Sequence, residues 1–91
     1  MDRGGMNHQL SIHVGQEMTR RGIPLSVVES VLDAPAQKVP EHGGIVCYQS
    51  KVEINQRLYL VRVMVNETKV PPKVVTAYRT SKISKYWKGK S

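Results

Sequence analysis

Ninety-one residues, 40% of them apolar and 23% charged, have the composition of one ordinary folded domain with a single modest core, which excludes a multidomain enzyme and a disordered chain. No apolar run approaches the ~18 residues that a membrane helix needs. The polar start Met1-Asp2-Arg3-Gly4-Gly5 is not followed by a signal-type apolar stretch, and Cys47 is the only cysteine, so no internal disulfide can form and a cytoplasmic location is expected.

The net charge of +7 is local. Met1 to Glu67 carries seven acids and seven bases, whereas Thr68 to Ser91 carries Lys69, Lys73, Arg79, Lys82, Lys85, Lys88 and Lys90 and no acid. A concentrated positive field attracts phosphate-rich or acidic partners and speeds encounter. The alternative is a solvated lysine-rich end that serves solubility alone.

Residues 1–9 read as a flexible leader, 10–88 as a single domain and 89–91 as a basic tail. Leu10, Val14 and Met18 recur every fourth residue, which predicts a helix with Ser11 as its N-cap and Arg20-Arg21-Gly22 as its end. A second short helix begins at Ile23-Pro24-Leu25-Ser26, buries Val27, Val28, Val31 and Leu32, and stops at Asp33-Ala34-Pro35. From Gln37 the period changes to two. Residues 45–54 form a strand with Val46, Tyr48, Val52 and Ile54 on one face and Cys47, Gln49, Lys51 and Glu53 on the other.

Asn55-Gln56 is a turn. Arg57 to Val65 follows, with Tyr59, Val61, Val63 and Val65 opposite Leu58, Leu60, Arg62 and Met64. Lys73 to Thr80 is a third strand, its faces being Val74, Thr76, Tyr78 and Thr80 against Val75, Ala77 and Arg79. Ser81 caps a last short helix containing Ile83, Tyr86 and Trp87, with Lys82, Lys85 and Lys88 at a spacing of three. The expected fold is α+β: two N-terminal helices packed on a curved antiparallel meander of three to four strands, then a short C-terminal helix.

Ser11-x-His13, Arg21-Gly22-Ile23, Val28-x-x-Val31-Leu32-x-x-Pro35, Arg57-x-x-x-Val61-x-Val63 and Val74-Val75-Thr76-Ala77-Tyr78 occur in that order. This series resembles the bacterial family called domain of unknown function 4258, over about Leu10 to Tyr86. That family is similar to the barnase–EndoU–colicin–RelE grouping of small toxin-like ribonucleases. The resemblance implies helices against a curved sheet, metal-independent RNA cleavage and pairing with an antitoxin or immunity protein. Members often carry a basic residue four places after the histidine, where this chain has Glu17. That departure weakens a phosphate-binding pair on the first helix.

Metal-free RNA cleavage requires groups that move protons at neutral pH and cations that offset phosphate charge. His13 is the candidate acid/base, expected to lean over the sheet edge from the start of the first helix. Its alternative is a packing histidine. His8 and His42 fall in loops. Arg62, on an otherwise apolar strand face, must lie at an edge, in a pair or in a cleft, and with Tyr78 it completes the candidate catalytic set.

Arg79, Lys82, Lys85, Trp87 and Lys88 are the RNA-binding candidates, with Tyr86 beside Trp87: cations for the backbone and flat rings for bases. Trp87 as a mere anchor for the C-terminal helix is the competing role. No CxxC, HxxxH or glycine-rich phosphate loop in strand–helix context is present, so neither metal nor cofactor is expected. The expected partner is RNA or the ribosome, with an acidic antitoxin-like protein also fitting the charge, and no membrane. The sharpest function is a small metal-independent toxin-like endoribonuclease; the alternatives are a non-catalytic RNA- or ribosome-binding module and a protein-interaction domain.

Overall fold

A computed structural model describes residues 8–89. Helix α1 (Ile12–Arg20) begins where the Ser11 hydroxyl accepts a hydrogen bond from the Val14 N–H at 3.2 Å, satisfying one of the free donors of the first turn. It ends in a Schellman turn: the N–H groups of Gly22 and Ile23 donate to the carbonyls of Thr19 and Met18. Gly22 takes φ +73° there, a conformation that suits glycine. Helix α2 (Leu25–Asp33) is entered through Pro24, one position before its first helical residue, and buries Val28, Val31 and Leu32.

Four antiparallel strands follow in sequential order: β1 (Gln37–Pro40), β2 (Ile45–Ile54), β3 (Arg57–Asn66) and β4 (Lys73–Thr80). The turn between β2 and β3 is made by Asn55 and Gln56, both with positive φ. That two-residue geometry matches the right-handed twist of the flanking strands. A last helix, α3, spans only Ile83–Tyr86. The α+β architecture and its two N-terminal helices, antiparallel sheet and short C-terminal helix are therefore as the sequence patterning leads one to expect.

The two helices cover one face of the sheet. Met18, Ile23, Val28, Val31 and Leu32 pack on Tyr48, Ile54, Val61, Val63, Val65, Val74 and Ala77. Burial of these side chains is the main source of stability in a domain of this size.

Three expectations are corrected. Val74 does not share a face with Tyr78. The register passes from Met64↔Thr76 to Val65↔Val74, so Val75 is an extra residue. This bulge shifts the alternation and turns Val74 into the core. Residues 8 and 9 are not a loose leader: the N–H of Gln9 donates to the Pro72 carbonyl at 2.7 Å, and its own carbonyl accepts from Val74 N–H at 2.9 Å. The rest of the expected leader, 1–7, and residues 90–91 of the expected tail lie outside the described residues. Finally, Ser81 does not cap α3. Lys82 is the N-cap, and its N–H donates to the Thr80 hydroxyl.

Candidate nucleic-acid interface

On the sheet face away from α1 and α2, the strand register aligns one polar residue from each strand: Gln37↔Gln49, Gln49↔Arg62 and Arg62↔Tyr78. Neighbours across strands lie close enough for their side chains to bond, and here they form a continuous ladder. The Gln49 amide donates to the Gln37 side-chain oxygen at 2.7 Å. Arg62 Nε donates to Gln49 Oε1 at 2.8 Å, and Arg62 Nη1 donates to the Tyr78 hydroxyl at 2.6 Å. Gln49 is fully buried and Arg62 is 6% exposed.

The ladder also holds down the C-terminal segment. Gln49 Nε2 donates to the Tyr86 carbonyl at 3.3 Å, Gln37 Nε2 donates to the Lys88 carbonyl at 2.8 Å, and Lys88 N–H donates back to Gln37 at 3.1 Å. The Tyr86 ring consequently lies over the Arg62 guanidinium, 4.3 Å from ring centre to Cζ, and meets Tyr78 edge-on. Lys51 Nζ stands 4.3 Å above the Trp87 ring. Both geometries are favourable cation–π contacts.

Burial works against the charge on Arg62, but the Tyr78 hydroxyl, with Cys47 and Glu41, outweighs it and holds the pKa above the usual arginine value. The cation is therefore permanent. Burial pushes the Tyr78 phenol up, against the opposing pull of Arg62, so it stays neutral. Burial likewise pushes the Cys47 thiol up, which leaves it unreactive. This arrangement holds a fixed positive charge among flat rings.

The structure does not unite the expected catalytic set. Arg62 and Tyr78 are bonded to each other, but His13 is on α1, in the helix layer on the opposite side of the sheet. Its side chain is 80% exposed and stands 3.8 Å from Glu17. The Val14 and Met18 stripe turns inward, and that rotation directs His13 to solvent rather than over the sheet edge. His42 lies exposed in the β1–β2 connection. His8 packs edge-on against Tyr48, on the helix side.

The RNA-binding candidates also divide. Lys82, Lys85 and Lys88 are exposed and Trp87 is half-buried, all on or beside α3. Arg79 is elsewhere: its guanidinium lies over the Tyr59 ring at 4.4 Å and against Gly22, on the helix side. Gln37, Gln49 and Glu41 are site residues that the sequence does not single out, whereas Tyr86 is one of the expected aromatics and is found on Arg62. The one available signal was Gln49 facing Arg62 once the β2–β3 turn is set at Asn55-Gln56.

Among the described residues no three His, Cys, Asp or Glu side chains are grouped as a metal site, and no helix is long and apolar enough to cross a membrane. No family model matches the chain, and neither the curated proteins nor the solved structures contain a match to it.

Proposed function

We propose that this chain binds single-stranded RNA through the sheet face opposite its helices, as a non-catalytic module. The observation that carries the reading is the clamped C-terminal segment. Bonds between the side chains of Gln37 and Gln49 and the backbone of Tyr86 and Lys88 hold the segment in place. The Tyr86 ring therefore lies over Arg62, the Trp87 ring packs with Lys51, and Lys82, Lys85 and Lys88 stand exposed on or beside the same short helix. Cations beside flat rings serve sequence-tolerant binding of single strands, with charge for phosphates and stacking for bases. Catalysis by His13 has no support at this face, because His13 belongs to the other layer.

The test is fluorescence anisotropy with an unstructured RNA pool in EDTA, over a range of salt. With about four cations engaged, log K should fall against log salt with a slope near −3. Trp87→Ala should weaken binding, and His13→Ala should leave it unchanged. Salt-insensitive or absent binding would end this reading. Cleavage of the RNA that survives in His13→Ala but is lost in Tyr78→Phe would replace binding with chemistry at the Arg62 face.

A further inference from the structure

Two of the three Arg62 nitrogens are committed to the ladder, Nε to Gln49 and Nη1 to Tyr78. Among the described residues, the ion-pair partner of Nη2 is Glu41, at 3.6 Å. That distance exceeds the ~2.7–3.2 Å of an N–H to oxygen hydrogen bond. The contact is therefore charge attraction without a directional bond, and Glu41 leaves the hydrogen-bonding capacity of Nη2 on its side unused. The Arg62 side chain is 7% exposed and that of Glu41 is 37% exposed, so the carboxylate stands on the solvent side of the pair. The Tyr86 ring covers the flat face of the guanidinium, which leaves its outer edge as the approach.

We propose that this outer edge is a phosphate subsite, and that Glu41 occupies it in the free protein as an internal competitor which an RNA phosphate displaces. The identity of the phosphate carrier rests on the RNA reading above; the anion chemistry does not. Guanidinium recognises carboxylate and phosphate by the same paired donors, so one can substitute for the other. A phosphate brings full hydrogen-bond geometry where Glu41 supplies only proximity. The displaced Glu41 side chain moves into water, which costs little for a group already partly exposed. The β1–β2 connection that carries it contains Gly43 and Gly44, both with positive φ.

The experiment compares Glu41→Gln with Glu53→Gln. Glu53 is another exposed acid on the same sheet face, in the cross-strand row beside Leu58, so both variants change net charge equally and only one changes the charge facing Arg62. Melting temperature is followed as inorganic phosphate replaces chloride at constant ionic strength, and RNA affinity is measured alongside. Glu41→Gln should be destabilised in chloride and recover in phosphate, while wild type and Glu53→Gln respond little. Its RNA affinity should exceed that of Glu53→Gln by roughly threefold, the scale of a partly exposed ion pair.

Equal phosphate responses in the two variants would overturn the subsite. If Glu41→Gln gains phosphate binding while no form binds RNA, the subsite stands and the RNA reading falls. If RNA binds with the expected salt slope but both variants behave alike, the RNA reading stands and the subsite falls.

Discussion

A glutamine side chain carries two N–H donors and one acceptor oxygen, and at the fully buried Gln49 all of them are engaged by Gln37, the Tyr86 carbonyl and Arg62. Gln49→Leu would orphan Arg62 Nε and a backbone carbonyl together, and each buried unsatisfied group costs about 1–3 kcal/mol. A loss of about 3 kcal/mol in denaturant unfolding is expected. The double variant Gln49→Leu with Arg62→Met should recover part of it, because removing both partners is far cheaper than stranding a buried cation.

His8 is the other residue with a measurable signature. Its Nδ1 is buried without a hydrogen-bond partner. Burial lowers its pKa below the ordinary 6.5, with Glu67 opposing and Lys38 adding to the effect. The unfolded chain then takes up a proton more readily than the folded one. The associated stability is present above pH 6.5 and is lost as pH falls from there toward the folded pKa. Melting temperature should decline over that interval, and His8→Phe should flatten it. A second decline below about pH 4.5 belongs to Glu67, whose carboxyl is held below its usual value by the Tyr48 hydroxyl and then by Lys38; it should persist in His8→Phe.

The strands and helices differ in how openly the sequence declares them. The stripes of α1 and α2 and the alternation of β2 and β3 are legible because each element is regular from end to end, so a single period assigns the face packed under the helices, although it does not show that Cys47, Gln49, Leu60 and Arg62 are buried on the other face. Strand β4 is not, because the extra residue Val75 reverses the alternation, and neither Val74 nor Val75 differs chemically from an ordinary strand residue. Strand β1 has four residues and ends on Pro40, too few to establish a period. Without a period to fix β1, the sequence does not place Gln37 beside Gln49, and Gln49 is one more polar residue on an outward face.

Helix α3 is shorter than any helix stable by itself; what holds it is the ladder beneath it. The β2–β3 turn offers a direct test of an element's local strain. Gln56 sits at φ +68°, a conformation that costs a residue with a Cβ about 1 kcal/mol or more and that glycine adopts freely in such turns. Gln56→Gly should raise the unfolding free energy by about 0.5–1 kcal/mol, net of glycine's greater freedom when unfolded. An unchanged or lower stability would mean that the turn is not the two-residue type described.

For the molecule as a whole, the C-terminal segment has two duties that a truncation cannot separate. It supplies exposed lysines, and it covers the buried ladder with Tyr86 and the backbone around it. Deleting the chain after Ser81 would uncover Arg62 and Gln49, so a loss of RNA binding in that truncation would say nothing about charge. Neutralising side chains alone makes the separation. Lys85 and Lys88 are exposed, and the ladder bonds of Lys88 come from its backbone.

Lys85→Gln with Lys88→Gln should therefore keep the unfolding free energy within about 0.5 kcal/mol of wild type. The same pair should shrink the salt slope for single-stranded RNA by about 1.4, as two phosphate contacts are lost. Unchanged stability with a reduced slope assigns the charge to the partner. A marked fall in stability would instead assign these lysines to the fold, and an unchanged slope would move the phosphate contacts to Lys51, Lys82 and Arg62.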